Sequence, residues 1–518
     1  MFRPLSALAL ATASLTLFAY GGSGCSNDAE PTGTGTPAPA PTTTEPAPTP
    51  TTPTPTPTTP TPTPTNPAPT PGAAQVRVVH ASPDAPAVDV WVEGQTTPAV
   101  KGIKYGDASA YLQVPAGKYN FQIRPAGAPV TDPPVYSTGS VDVAANAKIT
   151  AIAAGLLKGT TDADKFRVIP LAEAWKGTPG TTTVRVVHAS PDAPTVGLDV
   201  GDDDPSKPEV ASLARFADTG AAGLPLPAGQ ALQVGIAAGS ARVTAFTTPS
   251  LPAGGEIFVI ATGLIGKLPR QADGFALLAV GPQASLGFIK QNPTVYALHA
   301  SPDAPAVDLF VGPKEVAGPL AFGSLSTPIQ VPPGIYMVDF FPAAAGSVRP
   351  AGAPAVSTPT PLLEAGQRYL AAATGFLARA DAANKLTLAA EAEAFDLTAP
   401  TRAVVRAWHL SPDAQTVDIG PISGGAITPA FTALSYLRAS DGSGLRLEPA
   451  SVPVGITPTG ANTTILASFN VPLAAGTRAF AVAAGAVAPR AGEQGIRLLA
   501  VETKATPWTV AAIAPAGP

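Results

Sequence analysis

The chain is poor in the residues that cross-link proteins or hold metals, since its 518 positions include one cysteine and four histidines. A single cysteine cannot form an intramolecular disulfide or a cysteine-rich zinc site, and we expect no cofactor and no resident metal. Charged residues make up 13% of the chain, about half the usual share, which argues against long charged helices and coiled coils. The formal net charge of −5 lacks the basic footprint of nucleic-acid binding. Packed apolar cores must therefore stabilise the folded part.

Residues 1–24 have the features of an export signal, with Arg3 in a short basic region and an apolar run after it that is too short to span a bilayer comfortably. The segment GGSGC, which ends at Cys25, resembles the lipidation site of a bacterial lipoprotein, although Gly22 departs from the aliphatic residue usual there. The alternative is ordinary signal cleavage that leaves Cys25 as a free thiol. Ser26 favours delivery to the outer membrane or cell surface. We expect the mature chain to be anchored to a membrane by lipid.

Residues 25–74 form a linker dominated by proline and threonine. Between Pro31 and Pro71 there are 16 prolines and 17 threonines, a composition that cannot bury a core and favours extended polyproline II. At about 3.1 Å per residue this segment can reach about 130 Å. We interpret it as a spacer that holds folded modules away from a lipid surface. O-glycosylation and binding to a proline-recognition module are the alternatives.

The remaining sequence contains four copies of one pattern, which indicates tandem modules. Each copy has one histidine, and 75 or 76 residues later a glycine ends an Ala-rich apolar segment. The histidines are His80, His188, His299 and His409, and the glycines are Gly155, Gly263, Gly375 and Gly485. The histidines are 108, 111 and 110 residues apart. We place repeat 1 at residues 76–175, repeat 2 at 184–281, repeat 3 at 295–396 and repeat 4 at 403–513, strung as separate modules with limited bending.

Short candidate strands separated by turns recur within each repeat. In repeat 1, Tyr119, Phe121 and Ile123 alternate with polar neighbours. A Pro-Gly turn, as in VPAG from Val114, precedes the next strand. About seven strands in about 100 residues favour an all-β fold of four tandem immunoglobulin-like antiparallel β-sandwich modules, with a small barrel as the alternative. The candidate strands of repeat 1 are residues 76–79, 88–92, 111–114, 119–123, 148–153 and 166–171.

The histidine lies in a recurrent string, which reads VRVVHASPDAPAVDV from Val76. The string and the VPAG turn that follows resemble the family catalogued as domain of unknown function 4397, and the resemblance extends over four repeats. Repeat 2 inserts Gly197-Leu198 before Asp199, and repeat 4 has Gln415 in place of the second proline. These departures predict an altered motif in repeats 2 and 4. The resemblance implies an extracytoplasmic bacterial repeat protein and supplies no established activity.

The polar residues of this string are the candidate site. Each repeat has a histidine, a serine two residues later, an aspartate after the proline and a second aspartate in the next strand. The set is His80, Ser82, Asp84, Asp89, His188, Ser190, Asp192, Asp199, His299, Ser301, Asp303, Asp308, His409, Ser411, Asp413 and Asp418. His80 shares a small apolar strand face with Val76 and Val78, so we expect it to point inward and hydrogen-bond the following turn. We therefore interpret the motif as structural.

Two chemical alternatives to a structural motif are a hydrolase and a metal site. A hydrolase triad brings its residues from separate elements, whereas this histidine, serine and aspartate lie within five residues that include Pro83. No G-x-S-x-G elbow supports it. His80 with Asp84 and Asp89 offers thin metal ligation, as does the acidic run at 202–204 for Ca²⁺.

A recognition surface is a further alternative, because Trp91, Phe310 and Trp408 could contact a protein or glycan, although aromatic residues in valine-rich strands favour the core. Together these features predict a lipid-anchored cell-envelope protein with a binding, adhesion or structural role and no catalysis. Tandem modules favour recognition, because repeated weak contacts gain avidity whereas four catalytic centres gain little. The expected ligand is an unidentified protein or glycan. A hydrolase or metal-binding protein is the alternative function.

Overall fold

The computed structural model describes residues 72–202 and 204–516. In this part of the chain the regular elements are strands, which confirms the predicted all-β fold of repeated sandwich modules. None of the described residues belongs to a helix with the length and hydrophobicity needed to cross a bilayer. The predicted export signal, Cys25 and the linker up to residue 71 lie outside the described residues, as does residue 203 of the acidic run.

Repeat 1 contains eight strands in two four-stranded sheets. The strands are β1 (Ala74–His80), β2 (Val88–Val92), β3 (Val100–Ile103), β4 (Leu112–Val114), β5 (Gly117–Pro125), β6 (Tyr136–Val143), β7 (Lys148–Ala154) and β8 (Arg167–Ala172). One sheet has the order β4-β1-β7-β8 and the other β3-β2-β5-β6. The six candidate strands each coincide with an observed strand, whereas β3 and β6 were not expected.

The other repeats follow the same plan with additions at the sheet edges. Repeat 2 has β9 (Thr181–His188), β10 (Val196–Val200), β11 (Val210–Leu213), β12 (Leu224–Pro227), β13 (Gln233–Ala238), β14 (Ala241–Thr247), β15 (Glu256–Thr262), β16 (Ala276–Val280) and β17 (Ser285–Ile289). Repeat 3 has β18 (Thr294–His299), β19 (Val307–Val311), β20 (Lys314–Leu320), β21 (Ile329–Gln330), β22 (Met337–Pro342), β23 (Val356–Pro359), β24 (Arg368–Thr374) and β25 (Thr387–Ala392). Repeat 4 has β26 (Ala403–Leu410), β27 (Val417–Ser423), β28 (Ala426–Ile427), β29 (Phe431–Leu434), β30 (Leu445–Leu447), β31 (Ala450–Pro458), β32 (Ala467–Leu473), β33 (Arg478–Ala484), β34 (Arg497–Glu502) and β35 (Thr509–Ile513).

The strand order of each repeat differs from the expected immunoglobulin-like, antiparallel arrangement, in which seven strands divide four and three. The histidine strand pairs in parallel with the strand that ends before the marker glycine, as β1 does with β7. Parallel neighbours need a crossover connection, and here the whole second sheet lies within that connection. The same parallel pairs are β9 with β15, β18 with β24 and β26 with β33. Local alternation in the sequence reports strands but not this long-range pairing.

Each repeat encloses a core between its two sheets. In repeat 1 this core contains Val88, Ile103, Ile123 and Phe166. The histidine strand contributes its small residues to the same space, because Val78 packs against this cluster. The corresponding cores of the other repeats include Leu198 and Phe246, Val307 and Phe340, and Ile419 and Phe469.

The opposite face of each histidine sheet packs against the neighbouring repeat. Repeats 1 and 2, which we call lobe A, share a buried cluster that includes Val79, Ile152, Val187 and Ile260. Repeats 3 and 4, which we call lobe B, share a second cluster that includes Leu298, Leu370, Trp408 and Phe480. The expected string of separate modules is therefore wrong. Both faces of the histidine sheet are apolar, and the second face is buried only by a partner repeat.

Candidate functional site

The motif histidine is the last residue of the first strand in repeats 1 to 3 and the last but one in repeat 4, and it points between the two sheets. His80 is 1% exposed, and its Nε2 atom lies 3.1 Å from the carbonyl oxygen of Pro86 in the following turn. Because a carbonyl only accepts, Nε2 carries the ring proton. The equivalent pairs are His188 with Pro194 at 2.8 Å, His299 with Pro305 at 3.0 Å and His409 with Gln415 at 3.0 Å. Gln415 supplies a main-chain carbonyl, so replacing proline in repeat 4 leaves this bond intact.

Burial favours the neutral form of these imidazoles. Desolvation lowers the pKa of His80 below its ordinary value of 6.5, and the bond to Pro86 opposes this shift only in part. Burial lowers the pKa of the other three motif histidines in the same way. In repeats 1 and 4 the second ring nitrogen accepts a main-chain N–H, from Ser82 at 3.4 Å and from Ser411 at 3.3 Å. The ring is therefore held by the main chain of its own turn.

The motif serine connects the two sequence markers of the repeat. Ser82 is fully buried, and its hydroxyl donates a 2.7 Å hydrogen bond to the carbonyl oxygen of Gly155. The glycine has a φ of 82°, which a residue with a side chain rarely adopts. The equivalent bonds are Ser190 to Gly263 at 2.7 Å, Ser301 to Gly375 at 2.6 Å and Ser411 to Gly485 at 2.6 Å. The fixed spacing of histidine and glycine thus reflects a contact across parallel strands.

The first motif aspartate binds the loop that follows this glycine. The carboxylate of Asp84 accepts the main-chain N–H groups of Leu157 at 2.7 Å and Lys158 at 2.9 Å. Asp303 makes three such bonds, at 2.7 to 2.9 Å, to Leu377, Ala378 and Arg379. Asp192 and Asp413 bind the corresponding loops of repeats 2 and 4. The aspartate therefore satisfies amides that would otherwise lack partners in an irregular loop.

The second aspartate plays a similar part in the other sheet. Asp89 accepts the N–H groups of Gly102 at 2.7 Å and Gly127 at 2.9 Å. Asp308 accepts the N–H of Ala344 at 2.9 Å. The corresponding bonds of Asp418 are to Ala433 at 2.7 Å and Gly460 at 3.0 Å. These carboxylates bind main-chain N–H groups of an adjacent edge strand, as at Gly102 in β3 and Ala433 in β29, and of loops that follow the neighbouring strand, as at Gly127.

Asp199 does not belong to this set, and its assignment as the second motif aspartate of repeat 2 is wrong. In register, Asp89 lies opposite Arg124, and the residue in the equivalent position of β10 is Gly197, opposite Ala237. Asp199 occupies the position of Trp91 two residues further along. The strands have equal length, so no residues are inserted before Asp199. Repeat 2 has a glycine where the other repeats have the carboxylate, and its motif is altered there.

The motif side chains do not bond to one another as a hydrolase triad requires. Ser82 donates to Gly155 and lies 3.4 Å from Asp84, while His80 donates to Pro86. A triad needs the serine on one imidazole nitrogen and the carboxylate on the other. Within the described ranges, no group of three or more His, Cys, Asp or Glu side chains is arranged to hold a metal ion.

The acidic run near residue 203 is engaged in ion pairs. Asp202 lies 2.6 Å from Arg242, and burial raises the pKa of Asp202. Asp204 is 3.1 Å from Lys207, and hydrogen bonds, first from Ser206 and then from Lys207, lower its pKa. The two carboxylates therefore face different cations.

The three aromatic residues considered for recognition are buried. Trp91, Phe310 and Trp408 are 6%, 1% and 0% exposed. Trp408 belongs to the cluster between repeats 3 and 4. The described structure therefore gives these side chains no surface for a glycan or a partner protein.

The second face of the histidine strand carries a polar contact between repeats. Arg77 is 1% exposed; its Nη1 donates to the carbonyl oxygen of Gly281 in repeat 2 at 2.5 Å, and its Nε donates to Thr150 at 2.8 Å. Its nearest carboxylate is Glu173, at 3.8 Å. Desolvation acts to raise the pKa of Glu173, but hydrogen bonds from Thr150 and Tyr111 and the charge of Arg77 lower it overall. Sequence reasoning missed Glu173, because one acidic residue after a strand carries no pattern.

These observations define an all-β protein of paired sandwich repeats in which a histidine motif fastens two loops of each repeat. Residues 74–199 and 293–420 match the model of a family described as Domain of unknown function (DUF4397). Each matched region covers one repeat and ends in the second strand of the next repeat, β10 or β27. The description assigns no activity. No curated protein matches the chain.

Proposed function

We propose that this chain is a lipid-anchored cell-envelope protein that acts in binding, adhesion or envelope structure and not in catalysis. The observation that carries the proposal is the use of the motif. In all four repeats the histidine and serine bind main-chain groups of their own repeat, as Ser82 does with Gly155. Groups fixed in this way are not available as a nucleophile or base. Four copies of a motif that binds the main chain of its own repeat support a structural role for the motif.

The pairing of repeats within each lobe supports a role in displaying a binding surface away from the membrane. Each lobe buries an apolar cluster between its repeats, so the two repeats of a lobe move together rather than as beads. The composition of residues 31–71, rich in proline and threonine, favours an extended spacer, which would give such a body reach from a membrane surface. The proposed partners are the membrane, through lipid on Cys25, and a protein or glycan in the envelope.

The anchor is tested by expressing the full-length chain with an alkyne fatty acid and separating the membranes. We expect the wild type to be labelled and to sediment with the outer membrane, and Cys25→Ala to lose both properties. Ser26→Asp is the matched variant, because it keeps the cysteine and should retain the label while shifting the protein to the inner membrane. An unlabelled wild type, or a Cys25→Ala variant that stays membrane-bound, contradicts the anchor.

The absence of catalysis is tested with the purified full chain on panels of ester, amide and glycoside substrates. We expect no turnover above that of buffer. Turnover by the wild type that disappears in Ser82→Ala or Ser301→Ala, with the fold intact by circular dichroism, establishes the hydrolase alternative instead.

A further inference from the structure

A cleft between repeat 2 and lobe B is lined by more cationic groups than the neighbouring carboxylates pair with. Its volume is ≈ 710 Å³, which is in the range of small-molecule sites. Five cationic residues line it, and the lining described includes no aspartate or glutamate. The cations are Arg242, Lys267, Arg368, Arg478 and Lys504. Arg242, Lys267 and Arg368 are paired with the carboxylates of Asp202, Asp273 and Glu393. The cations of the lining without an ion pair to a described residue are Arg478 and Lys504.

Comparison of the repeats shows how the excess of positive charge arises. In repeat 1, Lys148 starts β7 and pairs with Glu173 at 3.0 Å. In repeat 3, Arg368 starts β24 and pairs with Glu393 at 2.5 Å. In each case the N–H of the acidic residue donates to the carbonyl of the cationic one, which fixes the two positions as equivalent.

Repeat 4 keeps the cation of this pair and lacks the acid. Arg478 starts β33, and the N–H group that donates to its carbonyl belongs to Thr503. The hydroxyl of Thr503 donates to the carboxylate of Glu393 at 3.0 Å. Thr503 therefore occupies one acceptor oxygen of Glu393 and adds no negative charge of its own. No hydrogen bond or ion pair of the Arg478 guanidinium to another described residue is present.

A third arginine enters the same region from repeat 2. Arg270 donates from Nη2 to the carbonyl oxygen of Phe395 at 2.5 Å, and its buried Nε has no partner among the described residues. Burial lowers the pKa of Arg270 and of Arg478; Glu393 opposes this shift, and the charge of Arg368 adds to it. The carboxylate of Glu393 is therefore the shared counter-ion of three guanidinium groups, those of Arg270, Arg368 and Arg478.

We propose that this cleft binds a small anionic ligand through a phosphate or carboxylate group, with Arg478 as its principal contact. A guanidinium binds the paired oxygens of either group in a bidentate manner, and a partly buried cation that has no hydrogen-bonded carboxylate of its own gains most from such a ligand. The uncharged polar lining fits a hydroxyl-bearing molecule of sugar size. It consists of Thr244, Gln271, Gln291, Thr294, Gln330 and Thr506. This inference deepens the binding role proposed above and does not depend on the lipid anchor.

The test is isothermal titration calorimetry of the full-length mature protein with glucose 6-phosphate, glucuronate and glucose. We expect at least one of the two anions to bind with a dissociation constant below about 1 mM, more weakly at high salt, and glucose not to bind. Binding of the phosphate or of the uronate alone identifies which anionic group the cleft takes. Absence of binding by both anions overturns the proposal.

Arg478→Gln should weaken the binding of the anion by about tenfold or more. Lys148→Gln is the matched control, because Lys148 has the equivalent position in repeat 1 and lies outside the cleft, and it should leave the affinity unchanged. Lys504→Gln is a second cleft variant at an exposed position, which keeps the test valid if Arg478→Gln impairs folding. Unchanged affinity in both cleft variants overturns the proposal. That result leaves lipidation at Cys25 and the absence of hydrolysis untouched, so the two proposals fail separately.

Discussion

Lobes A and B join their repeats through the same strand face but bury different groups at the centre of the join. In lobe A the contact is reciprocal: Arg77 donates to the carbonyl of Gly281, and Arg185 donates to the carbonyl of Ala172 at 2.7 Å. Such exchange of equivalent contacts is the mark of a twofold-like interface. In lobe B only one of the two arginines is present, and Arg406 donates to Ala392 at 2.8 Å.

In lobe B an aromatic stack occupies the place of the missing arginine. Tyr296 stands at the position of Arg77, and its ring stacks on Trp508 with centroids 4.3 Å apart and planes 9° apart. In lobe A two guanidinium groups, from Arg77 and Arg185, lie over the ring of Phe258 at 5.5 and 5.7 Å. One join is thus an ionic network around a ring, and the other is largely a stack of rings.

The comparison shows that this strand face must be tightly packed against its partner repeat. Either charged or aromatic side chains can provide that packing. A buried arginine stabilises the join only while its acceptors and counter-ion are in place, because an isolated buried charge is costly. An aromatic stack needs only shape and area. The two lobes should therefore respond to opposite kinds of substitution.

The largest effect is expected from Trp508→Ala. This change leaves a cavity beside Tyr296 and Phe480, and we expect lobe B to lose about 3 to 5 kcal/mol in the free energy of unfolding. Hydrogen exchange measured by mass spectrometry reports the loss as faster exchange in β24 and β33, with lobe A unchanged. Trp175→Ala is the counterpart in lobe A, where the ring is half-buried beside Phe258, and it should cost less. A loss of less than about 1 kcal/mol in Trp508→Ala contradicts the importance of the stack.

Arg77→Met is the corresponding change in lobe A. Methionine fills much of the space but leaves the carbonyl of Gly281 without this donor and the buried carboxylate of Glu173 without this nearby positive charge, and we expect a cost of about 3 kcal/mol. Urea unfolding of the full chain measures it. Arg402→Met is the control, because its ion pair with Glu448 is exposed and should be worth less than about 0.5 kcal/mol. Equal effects of the two substitutions contradict a buried network.

The histidine motif should respond similarly in the two lobes, since the bond from Nε2 to a main-chain carbonyl is the same in both; His80 has in addition the bond from the Ser82 N–H to Nδ1. His80→Ala and His299→Ala each remove a buried donor to a main-chain carbonyl, and we expect each to cost about 1.5 kcal/mol or more. The urea midpoints of the two single variants measure this cost. Unchanged midpoints contradict a structural role for the motif.

Acid should destabilise both lobes through the same histidines. Because burial lowers the folded-state pKa of His80 below 6.5, the unfolded chain binds more protons than the folded chain below that pH. Stability is therefore full above about pH 6.5 and declines as the pH falls through and below that value. Replacing the four motif histidines with glutamine should flatten the dependence in that window. A steeper dependence in the variant contradicts the assignment.

The repeats and the inward histidine could be predicted from the sequence because both depend on local pattern. The strand β6, YSTGSVDV, was missed because serine and glycine indicate turns, and pairing with β5 overrides that preference. Asp199 was misassigned because a sequence alignment allows a gap before it, whereas the pairing register of the strand fixes each residue at one position. These errors arise where tertiary pairing decides the outcome.

The pairing of repeats could not be predicted at all. On the face that carries Arg77 and Val79, the arginine is compatible with exposure to water and the valine with burial against a partner repeat. The local sequence does not indicate which of the two applies. The cleft is still harder to predict from the sequence, because Arg242, Arg368 and Arg478 in its lining come from three repeats. Its only signal is Thr503 in the position of Glu173 and Glu393, which needs the register to be recognised.

The smallest effect should come from one contact that both lobes share. Thr262 donates from its hydroxyl to the carbonyl of Ala81 in the partner repeat at 2.7 Å, and Thr374 donates to Leu410 at 2.8 Å. Valine keeps the shape and removes the donor, so Thr262→Val and Thr374→Val should each cost about 1 kcal/mol.

Thermal unfolding of the two threonine variants beside Thr96→Val, an exposed control, measures this cost. Equal losses in Thr262→Val and Thr374→Val separate the common geometry of the join from its variable centre, because the hydroxyl contact does not depend on whether an arginine or a tyrosine lies beside it. A loss confined to lobe A would mean instead that the carbonyl contact is coupled to the Arg77 network, and that the two joins share less than their strand register suggests.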